Sequence, residues 1–98
     1  MIQAVSLHAL ARAELFESAA FYALEAPGLK FAFVAEFERA LRFIQQHPEA
    51  APILRGTVRA KVLDRFPYTL LYRIRKEEIR VLAEMHPKRR PFYWRGRS

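Results

Sequence analysis

The sequence predicts an α+β fold, in which an N-terminal strand and a two-helix hairpin precede a C-terminal three-strand meander. Two observations predict it. Apolar residues recur at helical spacing in the first half, whereas after Gly56 they alternate with polar residues at the two-residue period of a strand. Pro27-Gly28 separates two helical segments. Since helix stripes and a sheet each have an apolar face to bury, we expect the hairpin to pack on one face of a mainly antiparallel sheet.

Three elements are predicted before the meander. The apolar stretch 2–7 indicates a strand, and residues 9–24, rich in Ala, Leu and Glu without Gly or Pro, indicate a helix. A second helix starts at Leu29 and ends before His47-Pro48, because the residue before a proline disfavours the α region. Its apolar stripe consists of Phe33, Phe37, Ala40, Leu41 and Ile44. Residues 48–55, with two prolines, are predicted to be an irregular connection.

The meander is predicted from three strand-like runs. Residues 58–63 alternate, and 68–74 and 79–85 are dense in apolar and aromatic side chains, with short turns between the runs. This alternation places Arg59 and Lys61 together. We expect them on the sheet face that the helices leave free.

Charge is distributed unevenly along the chain. Residues 1–54 contain four Lys or Arg and six Asp or Glu, whereas residues 55–98 contain thirteen and four. The run from Met85 to Arg97 carries five cations and three aromatics but no acid. Such a segment favours an anionic partner.

Composition and length set the class of protein. At 98 residues and 52% hydrophobic, the chain is expected to form a single domain over 1–98. Without cysteine it can have neither disulfides nor thiolate metal sites, and it has no stretch long and apolar enough for a membrane span. We therefore expect a cytoplasmic protein that needs no metal or other cofactor and has no membrane partner.

Several motifs together resemble the RelE/ParE toxin superfamily, of the plasmid-stabilisation type. They are an Ala-x-x-Glu-Leu-like pattern at Ala11–Leu15, Pro27-Gly28-Leu29 between the helices, Arg65-Phe66-Pro67-Tyr68-x-Leu70-x-Tyr72, and His86-x-x-Arg89-x-Pro91-x-Tyr93-Trp94. The resemblance covers nearly the whole chain. It implies a RelE/ParE-like α+β toxin of a type II toxin–antitoxin system, neutralised by an acidic antitoxin that forms a hetero-oligomer with it.

The RelE branch of the superfamily implies a metal-independent endonuclease that cuts messenger RNA on the ribosome. Its chemistry needs a base for the 2′-hydroxyl, an acid for the leaving oxygen and cations for the phosphate. His86, Lys61 and Tyr93 are the candidates for proton transfer. Cations for the phosphate are available at Arg59, Lys61, Arg73 and Arg89. However, Thr69 stands where RelE-type nucleases usually have an arginine.

The ParE branch implies a protein that poisons DNA gyrase without catalysis of its own. Phe66-Pro67-Tyr68 and the C-terminal motif resemble this branch more closely, so gyrase is the favoured target and the ribosome with its message the alternative. A degenerate homologue that only binds antitoxin also fits the sequence. Candidate residues for contact with antitoxin or target are Arg59, Lys61, Arg65, Arg73, Arg89, Arg90 and Trp94.

Purely structural roles remain open for several of these residues. His86 can be a hydrogen-bonded residue at a strand end rather than a base. Trp94 can stack on a nucleic-acid base or simply pin the C-terminal segment onto the sheet. Arg95 and Arg97 can be disordered residues near the terminus.

Overall fold

The structure, a computed structural model, describes residues 3–98 and confirms the predicted α+β class. Two helices pack against one five-stranded mixed sheet. Ile2, which the sequence assigned to the first strand, lies outside the described residues. In chain order the elements are β1 (Ala4–Leu7), α1 (Ala9–Glu25), α2 (Leu29–Gln46), β2 (Ile53–Arg55), β3 (Val58–Val62), β4 (Thr69–Arg75) and β5 (Glu78–Met85).

The strand order is β1-β5-β4-β3-β2. β1 runs parallel to β5, and every other neighbouring pair is antiparallel. The helical hairpin is the long connection that carries the chain from β1 at one edge of the sheet to β2 at the other. The last three strands form the predicted meander.

The prediction of an irregular connection over residues 48–55 is wrong for its last three residues, because Ile53–Arg55 forms the edge strand β2. Ile53 pairs with Arg59, and the chain reverses at Gly56, whose φ of 58° suits a residue without a Cβ. All three residues of β2 are exposed, so no alternation of apolar and polar residues marks the strand in the sequence.

The core beneath the helices has two parts. One is aromatic: Tyr22 of α1 and Phe33 of α2 pack against Phe66, with ring centroids 4.9 and 5.3 Å away. The other surrounds Tyr72, which is fully buried and donates a hydrogen bond of 2.6 Å to the carbonyl of Pro48. The predicted stripe of α2 supplies buried residues to both parts.

The opposite sheet face also has an apolar cluster. Val58, Leu71, Leu82 and Ala83 pack there against Trp94. Leu71 pairs with Ala83 while Tyr72 pairs with Val81, so Leu82 is the extra residue of a β-bulge, and it joins Ala83 in this cluster. The C-terminal segment therefore covers part of a face that the sequence predicted to be free.

Arg59 and Lys61 lie on the helix side of the sheet, so the prediction for their face is wrong. Arg59 pairs with Tyr72 and Lys61 with Leu70, both of which belong to the core beneath the helices. Cross-strand partners share a face. The alternation correctly groups the two cations, but it does not reveal that the C-terminal segment packs on the Val58 face.

Helix α1 is apolar on its outer side as well as its inner one. Phe16, Phe21 and Leu24 are exposed there, Leu24 by 90%. Within residues 3–98, no helix has both the length and the apolar character to cross a membrane. An exposed apolar patch on a small protein indicates an interaction surface.

Candidate functional site

A cleft of about 430 Å³ lies between α1 and the adjoining ends of β4 and β5. It contains His86 and Arg89, the first two residues of the C-terminal motif. The full lining consists of Glu14, Glu17, Ser18, Phe21, Tyr22, Pro67, Tyr68, Glu84, His86 and Arg89. The acids and aromatics thus come from α1, from β5 and from the loop before β4, whereas His86 and the cation Arg89 come from the segment that follows β5.

The segment after β5 folds as a series of turns rather than as a helix or an extended tail. Main-chain hydrogen bonds join Arg89 to His86, Tyr93 to Arg90, and Arg97 to Trp94. Trp94 is only 5% exposed and packs on the sheet. The turns, together with the packing of Trp94, therefore keep the basic C-terminal segment close to the sheet.

A buried ion pair fastens this segment to α1. The Arg97 guanidinium donates to both carboxylate oxygens of Glu14, at 3.1 and 3.0 Å, and to the carbonyl of Leu82 at 3.0 Å. Glu14 also accepts the main-chain N–H of Glu84 at 3.0 Å. Both charged side chains are at most 10% exposed, and each has several partners, which is the condition under which a buried pair is tolerated.

Arg89 is the half-exposed cation of the same network. Its Nη1 is 3.7 Å from Glu14 Oε2, and its guanidinium carbon lies 3.9 Å from the centroid of the Tyr93 ring. This stacking fixes the guanidinium at the mouth of the cleft, with 48% of the side chain still exposed. Arg89 can therefore contact another molecule without rearrangement of its support.

Tyr93 is a support for Arg89 rather than an exposed proton donor. Burial, and then the neighbouring Glu14 carboxylate, raises the pKa of its hydroxyl above the ordinary value. Among the described residues none makes a hydrogen bond of good geometry with this hydroxyl. At neutral pH the hydroxyl is therefore protonated and enclosed.

Glu84 is a buried carboxyl at the floor of the cleft. Ser18 Oγ donates to its Oε2 at 2.9 Å, whereas its Oε1 is buried and receives no hydrogen bond from residues 3–98. Burial raises the pKa of Glu84 to about 8, against the opposing effect of the Ser18 hydrogen bond, and the charges of Glu14 and Glu17 raise it further. The carboxyl is thus mostly neutral at pH 7.

This shift predicts a pH-dependent stability for the wild type. A carboxyl whose folded-state pKa is raised stabilises the fold fully below its unfolded value near 4.5, and the contribution is lost as pH rises through about 8. Glu84→Gln removes this dependence. We expect the difference in unfolding free energy, variant minus wild type, to grow by a few kcal/mol between pH 5 and pH 9.

Urea unfolding of both proteins at those two pH values measures the difference. All other titratable groups are shared, so their effects largely cancel. A difference that stays constant with pH would contradict a raised pKa at Glu84.

The three candidates for proton transfer do not share one site. His86 and Tyr93 flank Arg89, with His86 Nδ1 accepting the main-chain N–H of Lys88 at 3.1 Å. Lys61 lies in a second cleft, where its ammonium is 4.4 Å from the Phe43 ring centroid. Lys61 pairs with Leu70, and Leu70 with Glu84, so two strand spacings, about 10 Å, separate Lys61 from β5.

The remaining candidates for binding are dispersed. Arg59 donates to the carbonyls of Glu49 and Ala51, and Arg65 bonds to Glu36 through its main chain and its guanidinium. Arg73 donates to Thr57 on the opposite face. Arg90 is exposed beside Arg89. Trp94 takes the packing role. Of the predicted residues, the structure therefore brings together His86, Arg89, Arg90 and Tyr93.

Sequence reasoning missed the acidic half of the site. Glu14 and Glu84 are buried, and Arg97, which could be read as disordered, is the most enclosed cation of the C-terminal segment. A signal existed for Glu14, since it shares the apolar face of α1 with Ala11 and Ser18 at helical spacing. In the described part of the chain, no His, Asp and Glu side chains are grouped in threes to hold a metal ion.

The chain is similar to known proteins in sequence pattern and in fold. The family model of the ParE toxin of the type II toxin–antitoxin system parDE matches residues 5–91. A solved structure of the chromosomal ParDE TA system from P. aeruginosa is similar in fold, with a TM-score of 0.75 and 20% identity, over 87% of this chain and 96% of that chain. No curated protein sequence matches. The matched region includes the cleft, whereas Tyr93, Trp94 and Arg97 follow it.

Proposed function

We propose that this chain, which belongs to the ParE toxin family of type II toxin–antitoxin systems, arrests growth by poisoning DNA gyrase. An acidic antitoxin silences it. The action is stoichiometric binding rather than catalysis, and it takes place in the cytoplasm, where gyrase works.

The observation that carries the proposal is the fixed position of Arg89. The guanidinium is held by Tyr93 and Glu14 yet remains half exposed, and exposed Lys88 and Arg90 flank it. A cation that is ordered before binding loses little side-chain entropy on contact with a partner. This segment therefore suits recognition of an anionic or polar surface, such as a gyrase–DNA complex.

The arrangement of the other candidates supports binding over RNA cleavage. Nuclease chemistry needs a base, an acid and a cation around one phosphate. Here Lys61 and His86 line different clefts, and the Tyr93 hydroxyl is enclosed with a raised pKa. Thr69, at the position where nucleases of the superfamily usually have arginine, pairs with Val62 and Met85 and adds no charge.

An acidic antitoxin is supported by charge and by exposed apolar surface. The second half of the chain has nine more basic than acidic residues, which attracts an acidic segment. The outer side of α1 adds exposed Phe16 and Leu24, which apolar residues of the same partner can cover.

The order of events after induction tests the target. With gyrase poisoned, incorporation of labelled thymidine should fall several-fold before incorporation of labelled amino acids, because replication forks stall while existing messages are still translated. Co-expression of the acidic antitoxin should restore growth. An earlier fall in amino-acid incorporation would instead favour the ribosomal alternative, and unimpaired growth would favour a degenerate homologue.

A further inference from the structure

One buried carboxyl oxygen at the floor of the cleft, Oε1 of Glu84, has no hydrogen-bond partner in the part of the chain that the structure describes. Glu84 is 3% exposed, and no group in residues 3–98 donates to its Oε1. A buried polar atom without a partner loses its hydrogen bonds to water and gains none in return, so nearly all buried polar atoms in proteins are paired. Glu84 lines an open cleft but its Oε1 is covered, so a ligand that enters can supply the missing donor once the carboxyl turns towards the cleft.

The charges in the cleft select the sign of that ligand. Glu14 is already neutralised by Arg97 and also faces Arg89. Exposed Glu17 and buried Glu84 line the same cleft and form no ion pair within the described part of the chain. A positively charged donor therefore gains most there, because it can pair with Glu17 and with the ionised form of Glu84, whereas an anion would be repelled by both carboxylates.

The aromatic residues that line the cleft favour a planar cation on an apolar stem. Phe21, Tyr22 and Tyr68 line the cleft, Phe21 as the exposed one of the three, and Tyr22 meets Tyr68 edge to face at 6.3 Å. Aromatic rings attract cations, and the planar guanidinium stacks on them better than an ammonium does. Its several N–H groups allow it to donate to more than one carboxyl oxygen.

We propose that this cleft binds one arginine side chain of a protein partner, with the guanidinium donating to Glu84 Oε1 and the stem lying against Phe21 and Tyr68. A protein is favoured over a free metabolite because the cleft adjoins the exposed apolar residues of α1 at Phe21. Phe21 belongs to both surfaces, so a chain segment that covers Phe16 and Leu24 can deliver the arginine. The site stands independently of gyrase as the target.

Binding is coupled to proton release. With a pKa of about 8, Glu84 is mostly protonated at pH 7, and a guanidinium pairs with its ionised form. The affinity should therefore rise about tenfold from pH 6 to pH 7 and about fivefold from pH 7 to pH 8. About one proton should leave for each arginine bound at pH 7, and about half a proton at pH 8. The charged and titratable groups that face Glu84 or the ligand are Glu14, Glu17, Tyr22, Tyr68, His86, Arg89 and Arg97.

The probe for the experiment is N-acetylarginine methylamide, an arginine side chain without charged termini. Its affinity is measured by NMR titration of the full chain at pH 6, 7 and 8, and calorimetry in two buffers counts the protons released. The pH series uses the His86→Gln background, because histidine ordinarily changes charge in the same range. We expect saturable binding that strengthens with pH.

Matched variants identify the residues responsible. Glu84→Gln should weaken binding at pH 8 by at least tenfold and remove its pH dependence, while Glu25→Gln at the exposed end of α1 should leave both unchanged. Phe21→Leu replaces one exposed aromatic wall and should weaken binding several-fold in a folded protein. Thermal unfolding of each variant verifies that it folds.

Three results would overturn the proposal. The first is equal affinity for N-acetylcitrulline methylamide, the neutral analogue. The second is binding that does not respond to pH or to Glu84→Gln. The third is binding of ethylguanidinium or free arginine without binding of the blocked arginine, which would assign the cleft to a small metabolite.

Discussion

Arg97→Ala is expected to destabilise the protein by about 3 kcal/mol and to abolish growth inhibition. The substitution removes the bidentate partner of Glu14 and leaves that carboxylate buried, with Arg89 at 3.7 Å as its remaining cation. It also removes a donor to the carbonyl of Leu82. For a chain of this length, a loss of that size lowers the melting temperature by roughly 15 °C.

The matched control is Arg95→Ala, an exposed arginine of the same segment. It should change the melting temperature by no more than a few degrees. The double variant Arg97→Ala with Glu14→Gln should recover part of the loss, because no buried charge is then left unpaired. Equal melting temperatures for the two single arginine variants would contradict the role of Arg97 as the anchor of the segment.

Arg89→Ala is expected to abolish toxicity with little change in stability. The side chain is half exposed, so its contribution through Glu14 and Tyr93 is about 1 kcal/mol or less. Its place at the mouth of the cleft makes it available to a target, so the growth of cells expressing the variant should approach that of uninduced cells. Growth curves and melting temperatures measure the two effects separately.

Arg39 on α2 provides a matched control for Arg89. It also forms one loose ion pair, 3.8 Å from Glu36, with 57% of its side chain exposed. Arg39→Ala should therefore have a comparable effect on stability but should retain toxicity. Equal toxicity of the Arg39→Ala and Arg89→Ala proteins would place the functional surface elsewhere.

The fold was predictable where apolar residues follow a helical period or form a dense run of strand length. The stripe of α2 shows the first pattern and strands β4 and β5 show the second, and the structure has all three close to the predicted bounds. β2 lacks the pattern because it is short and wholly exposed. The face of Arg59 and Lys61 was assigned wrongly because both sheet faces are covered, one by helices and the other by Trp94.

The candidate site was predictable only for its basic half. The motif identified His86 and Arg89, which line the cleft, and Tyr93, whose ring lies against Arg89. Their acidic partners come from distant parts of the chain: Glu14 is 83 residues from Arg97, and Ser18 is 66 residues from Glu84. A single sequence carries no period or spacing that reports such long-range pairing.

The most direct test of the central claim, that Arg89 and its segment poison gyrase, uses purified protein. When the wild-type protein is added to gyrase and supercoiled plasmid, cleaved DNA should accumulate. The Arg39→Ala protein should have the same effect, whereas the Arg89→Ala protein should have none. Programmed ribosomes incubated with the same proteins should keep their message intact. Message cleavage by the wild type, with gyrase unaffected, would contradict the account.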